Sequence, residues 1–172
     1  MRHVISVILQ NEVGALTRMT GLFSTRGYNI ESLNVAPTDD ENLSRVTLVV
    51  RGSNEAIEQL NSQLSKLIDV VGINDMTQGD HFERELLIVK VKINSESQQE
   101  INHLVTEFNA VILDDSIESY TIQLTGNIEG IDRFVSKISA LGTLQAVARS
   151  GSVSVSKGKI TLSSYANKNL SN

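Results

Sequence analysis

The chain has 172 residues, of which 40% are hydrophobic, so there is material for one ordinary domain or two small ones, and a single Pro with 11 Gly argues against a disordered polymer. It contains no Cys, which excludes a disulfide framework, a thiolate metal site and a cysteine nucleophile. The formal charge of −5 comes from 15 basic and 20 acidic residues, and the basic ones are scattered without the patch that nucleic acid requires.

The first element in chain order is Val4 to Leu9, short and rich in β-branched residues, which predicts a strand. Leu16, Met19, Leu22 and Phe23 then fall on one face of a helix. Gly14 lies at the joint. A helix start presents backbone N–H groups with no intrahelical partner and the positive end of the helix dipole. A glycine there lets an anion approach closely, and Asn11 beside it can both donate and accept hydrogen bonds. That is equipment for a small zwitterion such as an amino acid. Most glycines at such joints, however, serve the turn and bind nothing, and spacing alone does not choose between the two.

Tyr28 to Leu33 reads as a second strand, Pro37 ends it, and residues 38–42 form a polar loop. Arg45 to Arg51 alternates as a third strand, with Val46, Leu48 and Val50 inward. Ser53 and Asn54 offer a helix cap ahead of Ile57, Leu60, Leu64 and Leu67, and Val70 to Met76 is the last strand of the unit. The order is β-α-β-β-α-β. After the polar break Gln78–His81 it begins again. Leu86 to Ile93 is a strand, and Ser97 with Glu100 makes a capping-box pattern before Ile101, Leu104, Val105 and Phe108. Val111 to Leu113 is a strand, Asp114 and Asp115 are expected to turn the chain, and Tyr120, Ile122 and Leu124 alternate in the next. Ile128 to Ile138 marks a helix, and Thr143 to Arg149 the closing strand. The expected class is therefore α+β, two tandem ferredoxin-like βαββαβ units. The boundaries fall at 1–77 for the first unit, 78–85 for a linker, 86–158 for the second unit and 159–172 for a flexible tail. The second unit's counterpart of the glycine joint, Asn94 to Gln99, has no glycine, so only the first unit is expected to hold a small molecule.

Chemistry for catalysis is missing from the pattern. His3, His81 and His103 lie far apart, and no metal-ligand spacing emerges. Asp39-Asp40 and Asp114-Asp115 read as turn residues, not as acid and base. There is no G-x-G-x-x-G, P-loop or G-x-S-x-G motif, and Ser150 in Arg149-Ser150-Gly151 has no histidine nearby in sequence. No apolar run approaches a membrane span, and a first strand so close to Met1 leaves no room for a signal peptide. A cytoplasmic protein is the expectation.

The run Asn11-Glu12-Val13-Gly14-Ala15-Leu16-Thr17-Arg18, continued by Phe23 to Leu33, Val35 to Asp40 and Leu43-Ser44-Arg45, resembles the regulatory small subunit of acetohydroxyacid synthase (acetolactate synthase). The resemblance is strongest from Asn11 to Arg45 and collinear to Gly151. It implies that the first unit is an ACT domain that forms a homodimer, with valine between the two copies. The matching positions are Asn11, Gly14, Ala15 and Leu16 from one copy and Asn29 and Ile30 from the other. It further implies a non-catalytic subunit that activates the catalytic large subunit and confers feedback inhibition by valine. That partner would carry thiamine diphosphate, magnesium and FAD, and this chain has no motif for any of them. Two other readings stay open: an ACT-type amino-acid-binding module of another enzyme, and a free-standing enzyme on a ferredoxin-like scaffold.

Overall fold

A computed structural model describes residues 1–159. The elements run β1 (Arg2–Gln10), α1 (Ala15–Thr25), β2 (Ile30–Pro37), β3 (Leu43–Arg51), α2 (Asn54–Leu64), β4 (Val70–Asp75), a 3-10 turn (Met76–Gln78), β5 (His81–Lys92), α3 (Gln98–Glu107), β6 (Val111–Ser116), β7 (Ser119–Gly126), α4 (Ile128–Leu141), β8 (Thr143–Arg149) and β9 (Val153–Ser156). Two antiparallel sheets result, one ordered β2-β3-β1-β4 and the other β6-β7-β5-β8, with β9 pairing off β5. The chain accordingly divides into one compact unit of Met1–Phe82 joined by the segment from Ser152, and another of Glu83–Gly151.

In the first unit the alternation along β1 and β3 puts Ile5, Val7, Leu9, Val46, Leu48 and Val50 on one face of the sheet. Helix α1 lays Ala15, Met19 and Phe23 on that face, and α2 adds Ile57, Leu60 and Leu64. Full burial of a side chain such as Phe23 contributes roughly 1.5–3 kcal/mol. The Ser53 cap forms as the sequence predicts, its hydroxyl accepting from the Ala56 N–H. The second unit repeats the plan with Leu87, Val89, Val91, Tyr120, Ile122 and Leu124 under Ile101, Leu104, Ile131, Phe134 and Ile138. Phe108 meets Phe134 edge to face at 5.3 Å between ring centroids.

Four local details differ from the sequence expectation. Asp114 and Asp115 do not turn the chain: they are strand residues opposite Thr121 and Tyr120, and the two-residue turn is Ile117-Glu118. The Ser97 hydroxyl makes no capping bond to its helix; instead Asn94 Oδ1 accepts from the Ser97 N–H at 2.8 Å, an asparagine turn that serves the same joint. Strand β5 starts at His81, so residues expected in a linker already lie in the sheet. Finally, the segment from Ser152, expected to continue the second unit, groups with the first by its contacts, while its strand Val153–Ser156 pairs with β5. Arg2 Nη2 donates to Ser152 Oγ, Arg45 Nη1 to the Ser154 carbonyl, and Asn74 Nδ2 to Ser156 Oγ. Ser154 Oγ lies 2.8 Å from Met76 Sδ. These contacts cover the sheet face opposite the helices, where Val4, Val49 and Met76 form a small buried cluster. Apart from Lys159, the expected flexible tail lies outside the described residues. No helix among the described residues is long and apolar enough to cross a membrane.

Candidate effector site

Strand β1 ends at Gln10, and the next four residues reverse the chain into α1. Asn11 is tied down on both sides of its own peptide: its N–H donates to the Asn42 carbonyl at 2.7 Å, and its Nδ2 to the Glu41 carbonyl at 2.9 Å. The Asn11 amide nitrogen is thus spent on holding the 38–42 loop against the end of β1. Asp40 shapes that loop from within, Oδ1 accepting from the Asn42 N–H. Gly14 then caps α1 with φ +86°, in the left-handed region that glycine enters without strain. No side chain caps this helix. The Ala15 N–H reaches the Glu12 carbonyl and the Arg18 N–H reaches Gly14. Among the described residues the Leu16 and Thr17 N–H groups have no acceptor, as a helix start allows. Ala15 is buried beneath the joint and Leu16 packs half-buried on the core, so both contribute mainly backbone to the surface.

Arg18, one turn into α1, closes over this joint. Its Nε and Nη2 grip Asp69 at 2.6 and 2.8 Å, a bidentate pair in which Asp69 is only 4% exposed and Arg18 48%. The guanidinium holds the Asp69 carboxyl below the usual carboxylate range, and Asp69 in turn raises the arginine. Asp69 also accepts from the Gln10 N–H through its carbonyl, so one residue ties the end of β1 to the first turn of α1. A methyl group built on Gly14 would lie 2.8 Å from Arg18 Nη1. The open space at this glycine, expected from sequence to admit a ligand, is bordered closely by an arginine. Arg18 ends the run Asn11–Arg18, but no motif in the sequence marks it or Asp69 as a site residue. The available signal was helical spacing, because position 18 stands one turn above position 14 on the same face.

Asn29 and Ile30 lie elsewhere. Asn29 is exposed in the turn before β2, and Ile30 pairs with Val50, which itself pairs with His3 at the start of β1. Gln10, at the other end of β1, pairs with Leu43. The two groups of residues are therefore separated along the sheet by roughly 23 Å at 3.3 Å per strand residue, and within one chain they do not meet. The second unit has no equivalent of the glycine joint: Ser97 has φ −85°, an ordinary right-handed conformation. Among the described residues no group of three His, Asp or Glu side chains is arranged to hold a metal ion.

Comparison with known proteins gives two family matches in succession along the chain. Residues 5–72 match the family described as the AHAS small subunit-like ACT domain, and residues 84–158 match the small subunit of acetolactate synthase. The acetolactate synthase small subunit of Haemophilus influenzae is 46% identical, covering 92% of this chain and 98% of the relative. The isozyme 3 small subunit of Escherichia coli is 44% identical, covering 92% and 97%. The crystal structure of the acetolactate synthase small subunit from Thermotoga maritima superposes with a TM-score of 0.84 at 30% identity, covering 93% of this chain and 99% of that one. The chain belongs to the acetolactate synthase small-subunit family, and its first unit is an ACT domain of that family.

Proposed function

We propose that two copies of the first unit pair through their β2 edges and hold valine at the junction. The chain activates the cytoplasmic catalytic large subunit, which carries thiamine diphosphate, magnesium and FAD, and the valine it holds makes that subunit subject to feedback inhibition. The observation that carries this reading is the placement of the six residues at opposite ends of a sheet whose edge is open. Strand β2 is terminal in the order β2-β3-β1-β4, and an unpaired edge is a template for another strand. Antiparallel pairing of two such edges sets the start of one β2 beside the end of the other. Asn29 and Ile30 of one copy then approach the end of the sheet where the second copy carries Asn11, Gly14, Ala15 and Leu16. The Leu16 and Thr17 N–H groups suit the carboxylate of the amino acid, and the exposed Asn29 amide supplies both donors and an acceptor.

A ligand shared by two copies stabilises their association by mass action. Its effect on catalysis requires different affinities for two states of the complex, a coupling of about 1–3 kcal/mol in typical cases. The test is calorimetric titration of the purified chain with valine, paired with valine inhibition of the complex reconstituted with a cognate catalytic subunit. The expected result is valine binding and inhibition in the wild type, with both lost in Asn29→His, because one buried hydrogen-bond partner is worth roughly tenfold to a hundredfold in affinity. An Asn29→His chain that binds and inhibits normally would place the site elsewhere.

A further inference from the structure

The Arg18–Asp69 pair holds the guanidinium by one edge only. Asp69 is almost fully buried and satisfies both its carboxylate oxygens on one edge of the guanidinium, Nε and Nη2. The other edge is left over. Nη1 has no hydrogen-bond partner among the described residues, sits 2.8 Å from the position a Gly14 side chain would take, and belongs to a side chain that is 48% exposed. A guanidinium gripped on one edge is fixed in direction, because its five donors are coplanar and cannot rotate separately. The buried carboxylate therefore acts as a mount, and the remaining donor points over the helix start.

We infer that Arg18 is a recognition residue of the effector site, with Asp69 its positioning residue: Asp69 fixes the guanidinium so that Nη1 receives the carboxylate of the bound amino acid. This rests on the site proposed above and gives it a specificity. The Leu16 and Thr17 N–H groups donate to any hydrogen-bond acceptor, neutral or charged. A mounted cation adds discrimination, since both partners of its bond to a carboxylate are charged, whereas an amide offers it only a neutral acceptor. The site then selects free amino acids over their amides and amines. Glu12, the anionic side chain that also acts on Arg18, weakens a bare positive field at the entrance and leaves the discrimination to directed contact.

The experiment is calorimetry on the full chain with valine and with valinamide. The proteins are wild type, Arg18→Gln, Asp69→Asn and the double variant Arg18→Gln/Asp69→Asn, in which no buried charge is left alone. Circular dichroism and thermal melting of each confirm the fold. The expected result is a loss of valine affinity of roughly tenfold to a hundredfold in Arg18→Gln and in the double variant. Valinamide binding is unchanged from its wild-type value, whatever that value is. Asp69→Asn, which keeps the arginine but loosens its mount, also weakens valine selectively. The inference is overturned if the folded double variant binds valine as wild type does, or if valine and valinamide weaken by the same factor, which would make the pair a support for the loop and nothing more. A wild-type chain that takes up no valine overturns the proposed site itself, and that result is distinct from the other two.

Discussion

Gly14→Ala tests whether the left-handed joint is a structural requirement of the first unit. At φ +86° an L residue with a Cβ meets its own carbonyl, a penalty of about 1–2 kcal/mol. Replacing glycine also restricts the unfolded chain, which returns about 0.4–1 kcal/mol. The backbone contribution alone thus leaves the variant destabilised by about 1 kcal/mol, worth roughly 4–8 °C in Tm for a unit of this size. Crowding adds to it, because the new methyl lies 2.8 Å from Arg18 Nη1 and the guanidinium must shift away from Asp69. Gly14→Asn separates the two effects: asparagine tolerates the left-handed region but brings the same Cβ. The assay is urea unfolding of wild type, Gly14→Ala and Gly14→Asn, with valine calorimetry on each. Expected are stability in the order wild type, Asn, Ala, and weakened valine binding in both variants. An alanine variant as stable as wild type would refute the argument, since it would mean that the joint relaxes to a right-handed turn without cost.

Three further outcomes follow from the packing and the charges. Phe134, fully buried against Phe108, should cost about 3–5 kcal/mol when cut to alanine, read as a lowered urea midpoint of the second unit. The Asp69 carboxyl titrates below its ordinary range when folded, so its contribution to stability is complete above about pH 3.9 and disappears as the pH falls from there through the depressed value; Asp69→Asn should flatten that acid limb of the stability curve and lower stability at neutral pH. A fragment ending at Gly79 loses β9 and uncovers Val4, Val49 and Met76, so it should melt below the full chain's first transition; equal melting temperatures would show that the Ser152–Ser156 contacts contribute nothing.

The repeat of two βαββαβ units was legible in the residues because it depends on local periodicity. Alternation in Arg45 to Arg51 and helical spacing from Ile57 to Leu64 each specify one buried face, and burial of that face is what the fold satisfies. Gly14 was legible as a special joint for the same reason: only glycine enters its conformation freely. The rest depends on contacts between residues distant in sequence. That Asn29 and Ile30 stand at the far end of the sheet from Asn11 follows from the register of β3 against both β1 and β2, which no single segment encodes. Asp69 meets Arg18 across 51 positions, and a lone acid before a strand carries no mark of its partner. Asp114 and Asp115 have turn chemistry but are carried into a strand by pairing with Tyr120 and Thr121, tertiary pairing overriding local preference. Val153–Ser156 is too short to declare itself: it becomes a strand by pairing with β5, and Arg2, Arg45 and Asn74 of the first unit donate to the segment as it passes.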